Sequence, residues 1–252
     1  MTKIGPGVPA LIDLQTPDED TSVQFYSALF GWKIDDAQNP SGYRYARTED
    51  GAIMAGIRSA YGEAPPAWTL YLAADDIAST AQGATERGGS VLHGPVNVPG
   101  QGGVLIIADL TGAVTGFWQP EPGYEFASHV PGSFAWAELL TANGKGADDF
   151  YASLTGAGAT QIGDGEHYDY TVWTPAGQQA PVVGRLRTDA PAGWRVYFAV
   201  DPEVGTDQAV ETAAALGATM ITEPNDIPAG RIAVLADPTG AEFALLTPGP
   251  RD

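Results

Sequence analysis

The sequence contains no cysteine, three histidines and three methionines, and its twelve basic residues face thirty-one acidic ones. Without cysteine there is no disulfide, no thiolate metal site and no thiol nucleophile, a composition that fits the cytoplasm. A net charge of -19 excludes nucleic acid as a natural partner, because a phosphate backbone needs a basic face. The same charge disfavours anionic membrane surfaces. No apolar run approaches the ~18 residues of a spanning helix. The opening Met1–Pro6 is read as no secretory leader, its apolar stretch being short and broken by proline. No GxGxxG follows a strand, and neither a phosphate-binding P-loop nor a GxSxG elbow occurs. What the chain does have is 252 residues that are 44% hydrophobic, ample for one large domain or two small ones and too apolar for disorder.

The chain repeats itself at half its length. Phe25-Tyr26 aligns with Phe150-Tyr151 and Asp13 with Glu138, both at an offset of 125. The run Trp68–Asp75 aligns with Trp194–Asp201 at an offset of 126, and ADLTGAVTGF from Ala108 with ADPTGAEFAL from Ala236 at 128. The drift is what loop insertions produce. A Pro/Gly-rich stretch joins the halves.

Within the first half, residues 8–16 alternate as a strand. Thr16-Pro17-Asp18 supplies a helix start, Val23, Phe25, Tyr26, Leu29 and Phe30 form one helical face, and Gly31 ends it. Strands are expected at 42–48, 52–59 and 67–74, a helix at 76–87, and strands near 90–93, 102–109 and 113–119. Asp109–Gly112 and Asp237–Gly240 read as hairpin turns. The unit is strand, helix, then two or three strands, and it occurs four times.

A strand, an acid-rich turn, Phe25-Tyr26 followed by Leu29 and Gly31-Trp32, and closing Asp-x-Thr-Gly turns resemble the vicinal oxygen chelate superfamily of glyoxalases, bleomycin-resistance proteins and extradiol dioxygenases. The resemblance covers residues 8–248. It implies an α+β fold of two tandem glyoxalase-like domains, four βαβββ modules whose curved mixed sheets form cups. The expected domains are 6–121 and 132–248, with 122–131 as linker. A chain of four modules imitates the dimer of shorter relatives and is expected as monomer or homodimer.

Metal-dependent members of that superfamily hold their ion with His, Gln or Glu on cup-facing strands. Carried over by position, those ligand places fall on Leu11 and Trp136, Thr69 and Arg195, Gly116 and Ala244, and near Gly56 and Gly184. None is a histidine or carboxylate, and a divalent ion needs at least three such donors. His93, His129 and His167 lack ligand spacing. The expectation is therefore no metal and no cofactor.

What lines the cups instead is aromatic. Tyr43 and Tyr45 lie two apart on one strand face, and Tyr168 and Tyr170 do likewise in the second half. Trp136 occupies a former ligand position, and Trp68, Tyr71, Trp118, Trp173 and Tyr197 add rings near strands. Such walls suit a flat aromatic ligand, although each ring alone also reads as ordinary core. Asp13 and Glu138 recur two residues beyond the first-strand ligand position. Each is either a buried base or acceptor for a ligand hydroxyl, or else the partner of Arg195, Arg44 or Arg185 or of backbone amides. Arg195 is itself a candidate for a ligand carboxylate or phenolate.

The leading expectation is metal-independent binding of a mid-sized aromatic small molecule. The resemblance associates two-domain actinobacterial relatives with aromatic polyketide and antibiotic biosynthesis or self-resistance. The alternatives are a metal-free tailoring enzyme (cyclisation, isomerisation or cofactor-free oxygenation) using Asp13 or Glu138 as base, and a metal-dependent lyase or dioxygenase.

Overall fold

The computed structural model describes residues 4–35, 42–60, 62–99 and 101–249. The first half runs β1 (Pro9–Thr16), α1 (Glu19–Phe30), β2 (Lys33–Ile34), β3 (Arg44–Arg47), β4 (Ile53–Ser59), β5 (Ala67–Ala73), α2 (Ile77–Glu86), β6 (Ser90–Val98), β7 (Gly102–Ala108) and β8 (Val114–Pro120). The second repeats it as β9 (Phe134–Thr141), α3 (Gly144–Thr155), β10 (Gly158–Gln161), β11 (Tyr170–Thr174), β12 (Val183–Arg187), β13 (Gly193–Ala199), α4 (Gly205–Ala215), β14 (Thr219–Ile227), β15 (Gly230–Ala236) and β16 (Glu242–Pro248). Each half forms one curved, mixed, eight-stranded sheet. The orders are β2-β3-β4-β1-β5-β8-β7-β6 and β10-β11-β12-β9-β13-β16-β15-β14, so the duplication extends to topology. Among the described residues no helix is long and apolar enough to cross a membrane.

The local signals act as read. Asp18 accepts the Thr21 N–H at 3.0 Å to cap α1, and Gly31 ends it in the left-handed region at φ 70°. Asn143 and Gly156 do the same for α3. Asp109 and Asp237 each accept two backbone N–H groups within their turns, 2.7 and 3.1 Å in the first and 2.8 and 3.0 Å in the second. The edge strands β6 and β14 are exposed on most of their length and carry Pro95 and Pro224, with register bulges in both, which blunts a sheet edge.

By compactness the chain divides into two units that do not follow the halves. One contains Met1–Leu11, Thr69–Tyr124 and Trp136–Trp194; the other contains Ile12–Trp68, Glu125–Ala135 and Arg195–Asp252. The second unit has a core of rings from α1 and its surrounding strands. Tyr26 stacks on Trp32 at 5.4 Å and meets Trp68 edge-on at 5.3 Å, while Phe198 lies 5.0 Å from Trp68. The first unit is built likewise around α3, with Tyr151 stacked on Trp173 at 4.8 Å and edge-on to Trp194 at 5.8 Å. Such ring pairs add ~0.5–1.5 kcal/mol each beyond burial.

Candidate functional site

Two of the expected wall rings belong to these cores. Trp68 is buried and donates its indole N–H to Tyr26 at 3.0 Å, and Trp173 donates to Asp148 on α3 at 2.8 Å. Both face the helices. Alternation along β5 then turns Thr69 and Tyr71 to the opposite face, and along β11 it turns Tyr170 and Val172 there. The expected place of Trp68 and Trp173 among ligand-facing rings is corrected on that ground, and the parity of their positions in the sequence was the available signal.

On the face away from α1, β1 pairs in parallel with β4 so that Asp13 stands opposite Gly56. Asp13 is fully buried and accepts from the Tyr43 hydroxyl at 2.9 Å and from Arg58 Nε at 3.3 Å. Arg58 also donates to Gln15 Oε1 at 3.2 Å, and Gln15 donates to the Pro65 carbonyl at 2.8 Å. A buried carboxylate costs several kcal/mol unless paired and hydrogen-bonded, and here it has both (~ several kcal/mol). The arginine is none of the three expected. Arg44 pairs with Glu19 and Asp20 at 3.3 and 2.9 Å, Arg185 with Asp148 and Asp169 at 2.7 and 2.6 Å, and Arg195 with Glu242 at 2.8 Å. Arg58 lies two residues beyond Gly56 and shares its face, which sequence parity alone could have flagged.

The equivalent face of the second half carries Glu138 opposite Gly184. Trp136 donates its indole N–H to the Tyr170 hydroxyl at 2.9 Å, and Tyr170 stacks on Tyr168 with ring planes 6° apart. Burial, and then the nearby Glu138 charge, push the Tyr170 phenol well above its ordinary range, and the same two causes raise Tyr168. Both phenols therefore stay protonated. Just before this strand Asp164 accepts the backbone N–H groups of Tyr168, Glu166 and His167 at 2.8 to 2.9 Å, which holds its carboxyl at about 2. Register also shifts the tyrosine equivalence by two residues. Tyr43 covers Gly56 as Tyr170 covers Gly184, so Tyr43 corresponds to Tyr170 and not to Tyr168.

Three of the glycines at former ligand positions lie under tyrosine rings. A Cβ on Gly116 would overlap the ring of Tyr71, one on Gly184 would overlap Tyr170, and one on Gly56 would stand 3.1 Å from Tyr43 Cδ1. Tyr71 is fully buried and lies opposite Gly116 in register, as Tyr197 lies opposite Ala244. Trp118 packs on Tyr124 at 5.5 Å, and Tyr124 donates to the Ala10 carbonyl at 2.6 Å. His93 is exposed on β6, His129 lies in the segment between the halves, and His167 is exposed beside Asp164. Among the described residues no group of three His, Asp or Glu could hold a metal ion. The side chains at the superfamily's ligand places thus do not fit a divalent cation.

Comparison with known proteins agrees with this architecture. The family model for the glyoxalase/bleomycin resistance protein/dioxygenase superfamily matches residues 9–117, and that for a glyoxalase-like domain matches residues 104–246. CFP32 of Mycobacterium tuberculosis (strain CDC 1551 / Oshkosh), which carries a provisional glyoxylase name, is 36% identical over 97% of this chain and 96% of its own length. The chain belongs to this superfamily. Within it, the anthracycline biosynthesis protein DnrV of Streptomyces peucetius is 34% identical over 98% of this chain and 95% of its own. Among solved structures, the Mn(II)-bound glyoxalase of Novosphingobium aromaticivorans superposes with a TM-score of 0.69 at 15% identity, covering 96% of this chain and 82% of that one. That likeness is one of fold. The superfamily's fold is accordingly present.

Proposed function

We propose that this superfamily member binds a mid-sized aromatic small molecule without a metal ion, in the context of antibiotic or aromatic polyketide biosynthesis. The observation that carries the reading is the substitution of rings for ligands: Tyr43, Tyr71 and Tyr170 cover the glycines at three former ligand positions. A ring wall with a few hydrogen-bonding hydroxyls recognises a flat, oxygenated polycycle by stacking and desolvation. The likeness to an anthracycline biosynthesis protein supports that ligand class.

The test is tryptophan fluorescence quenching by emodin, a hydroxyanthraquinone, before and after dialysis against EDTA. Saturable quenching of equal affinity in both preparations is expected. Binding that disappears with EDTA and returns with Mn, Fe, Ni or Zn sinks the metal-free reading, and absence of saturable quenching across a panel of polycyclic aromatics sinks the binder.

A second reading, metal-free proton transfer, draws on Glu138, a buried carboxylate whose charge acts on Tyr170 and Tyr168. A carboxylate beside a protonated phenol is an acid–base arrangement. If a bound polycycle is turned over, Glu138→Gln should lower the rate constant by ~10²-fold or more, whereas a binder forms no product. Asp13, tied to Arg58 and Tyr43, is the weaker candidate base for the same reaction.

A further inference from the structure

The two halves present equivalent faces of unequal character, and the geometry points to the second-half face, not the first, as the one that takes the aromatic ligand. The inference rests on the proposed binding function and adds which face performs it and what it recognises.

Register aligns the two faces residue by residue, because Asp13 stands opposite Gly56 as Glu138 stands opposite Gly184. Leu11, Gln15 and Arg58 of the first face therefore correspond to Trp136, Leu140 and Leu186 of the second, and Tyr45 corresponds to Val172. The first face is filled by its own polar network: Arg58 binds Asp13 and Gln15, Gln15 binds Pro65, and Tyr43 binds Asp13. Leu11, Asp13, Tyr45 and Arg58 are all buried. An incoming ligand would have to break these bonds and leave charged groups desolvated.

The second face keeps a carboxylate in Glu138 but carries Leu140 and Leu186 where the first carries Gln15 and Arg58. Trp136, Leu140, Tyr170, Val172 and Leu186 are each half-buried, and Tyr168 is 51% exposed. Apolar area still in contact with water is what a flat ligand gains by covering. A hydrogen-bonded pair of rings lies among these side chains. Tyr170 Oη accepts from Trp136 Nε1 at 2.9 Å, which leaves the hydroxyl proton of Tyr170 to be donated. Held protonated by burial, it suits a quinone or ketone oxygen on the ligand. The class recognised is thus a polycyclic aromatic bearing a carbonyl.

Isothermal titration of the full-length protein with emodin separates the outcomes. One equivalent per chain is expected. Leu186→Arg and Leu140→Gln, which give the second face the residues of the first, should each weaken binding at least about tenfold, and Tyr170→Phe by about tenfold (~1.4 kcal/mol, the scale of one hydrogen bond). Gln15→Leu should leave affinity within about twofold. Thermal melting of each variant checks that it is folded; Leu140 and Leu186 are half-buried at the sheet surface, so folded variants are expected. Two equivalents per chain, or full affinity in folded Leu186→Arg, overturns the assignment while leaving the binding function intact. No binding by the unmodified protein overturns both.

Discussion

Tyr26 on α1 donates its hydroxyl to Asp237 in the turn between β15 and β16 at 3.0 Å, across 211 residues of chain, and Tyr151 on α3 donates to Asp109 between β7 and β8, also at 3.0 Å. Each bond lies inside one compact unit and is fully buried, so each helix is bonded to the turn that closes a distant hairpin. The other oxygen of each aspartate holds its turn together. The Phe-Tyr pair and the Asp-x-Thr-Gly turn, two separate motifs in sequence, are therefore halves of one tertiary contact.

Each tyrosine hydroxyl has a second partner. Tyr26 also accepts the Trp68 indole N–H at 3.0 Å, and Tyr151 is hydrogen-bonded to the Thr115 hydroxyl at 2.5 Å, which in turn accepts from Trp194 at 2.8 Å. Tyr26→Phe therefore leaves Asp237 and Trp68 short of a partner, and Tyr151→Phe leaves Asp109 and Thr115 short of one. Each buried unsatisfied group costs ~1–3 kcal/mol, so the two variants should be destabilised to a similar extent. Urea unfolding midpoints of both variants check this, and a loss confined to one of them would contradict it.

Much of this was legible. The half-length offset, the caps of α1 and the turn aspartates are legible because each rests on a local preference or an exact repeat. Alternation placed Asp13 and Glu138 on the face opposite the helices. The same parity sends Trp68 and Trp173 to the helices and Arg58 to Asp13. The Tyr–Asp bonds were beyond the sequence for a different reason. They join modules far apart in the chain, and no local periodicity encodes which helix meets which turn.

Arg185 is buried beneath α3 with Asp148 and Asp169 at 2.7 and 2.6 Å. Burial alone would lower its pKa, but the two carboxylates raise it, so the cation is held. The first half fills the corresponding places with Ile57 and Val23. Arg185→Ile strands two carboxylates and should cost ~3–5 kcal/mol. Arg185→Ile combined with Asp148→Val copies the first half and should recover a large part of that loss, a coupling read from a double-mutant cycle in urea. Simple additivity would contradict the equivalence.

Gly116 is small because Tyr71 occupies the space above it. Gly116→Ala should therefore cost ~1–3 kcal/mol by overpacking, and Tyr71→Ala in the same chain should relieve that increment. Calorimetric melting of the single and double variants decides it. A neutral Gly116→Ala would mean that the ring yields readily, and a ligand-sized side chain could then be built there.

Stability at alkaline pH follows from the same buried tyrosines. Burial, then the facing Asp237 and Asp109 charges, raise the phenols of Tyr26 and Tyr151 well above their ordinary value of 10.0. The unfolded chain releases these protons near pH 10 while the folded chain keeps them, so above that point the unfolded state binds fewer protons. Stability contributed by the two groups is fully present below pH 10 and is lost as pH rises further toward their folded values. Urea midpoints followed between neutral pH and pH 11 or so should fall steeply only above about 10, in step with a cooperative rise in tyrosinate absorbance on unfolding. Tyr26→Phe with Tyr151→Phe should start from a lower stability and decline less steeply over the same interval. A double variant whose slope matches that of the unmodified protein would assign the alkaline loss to other groups.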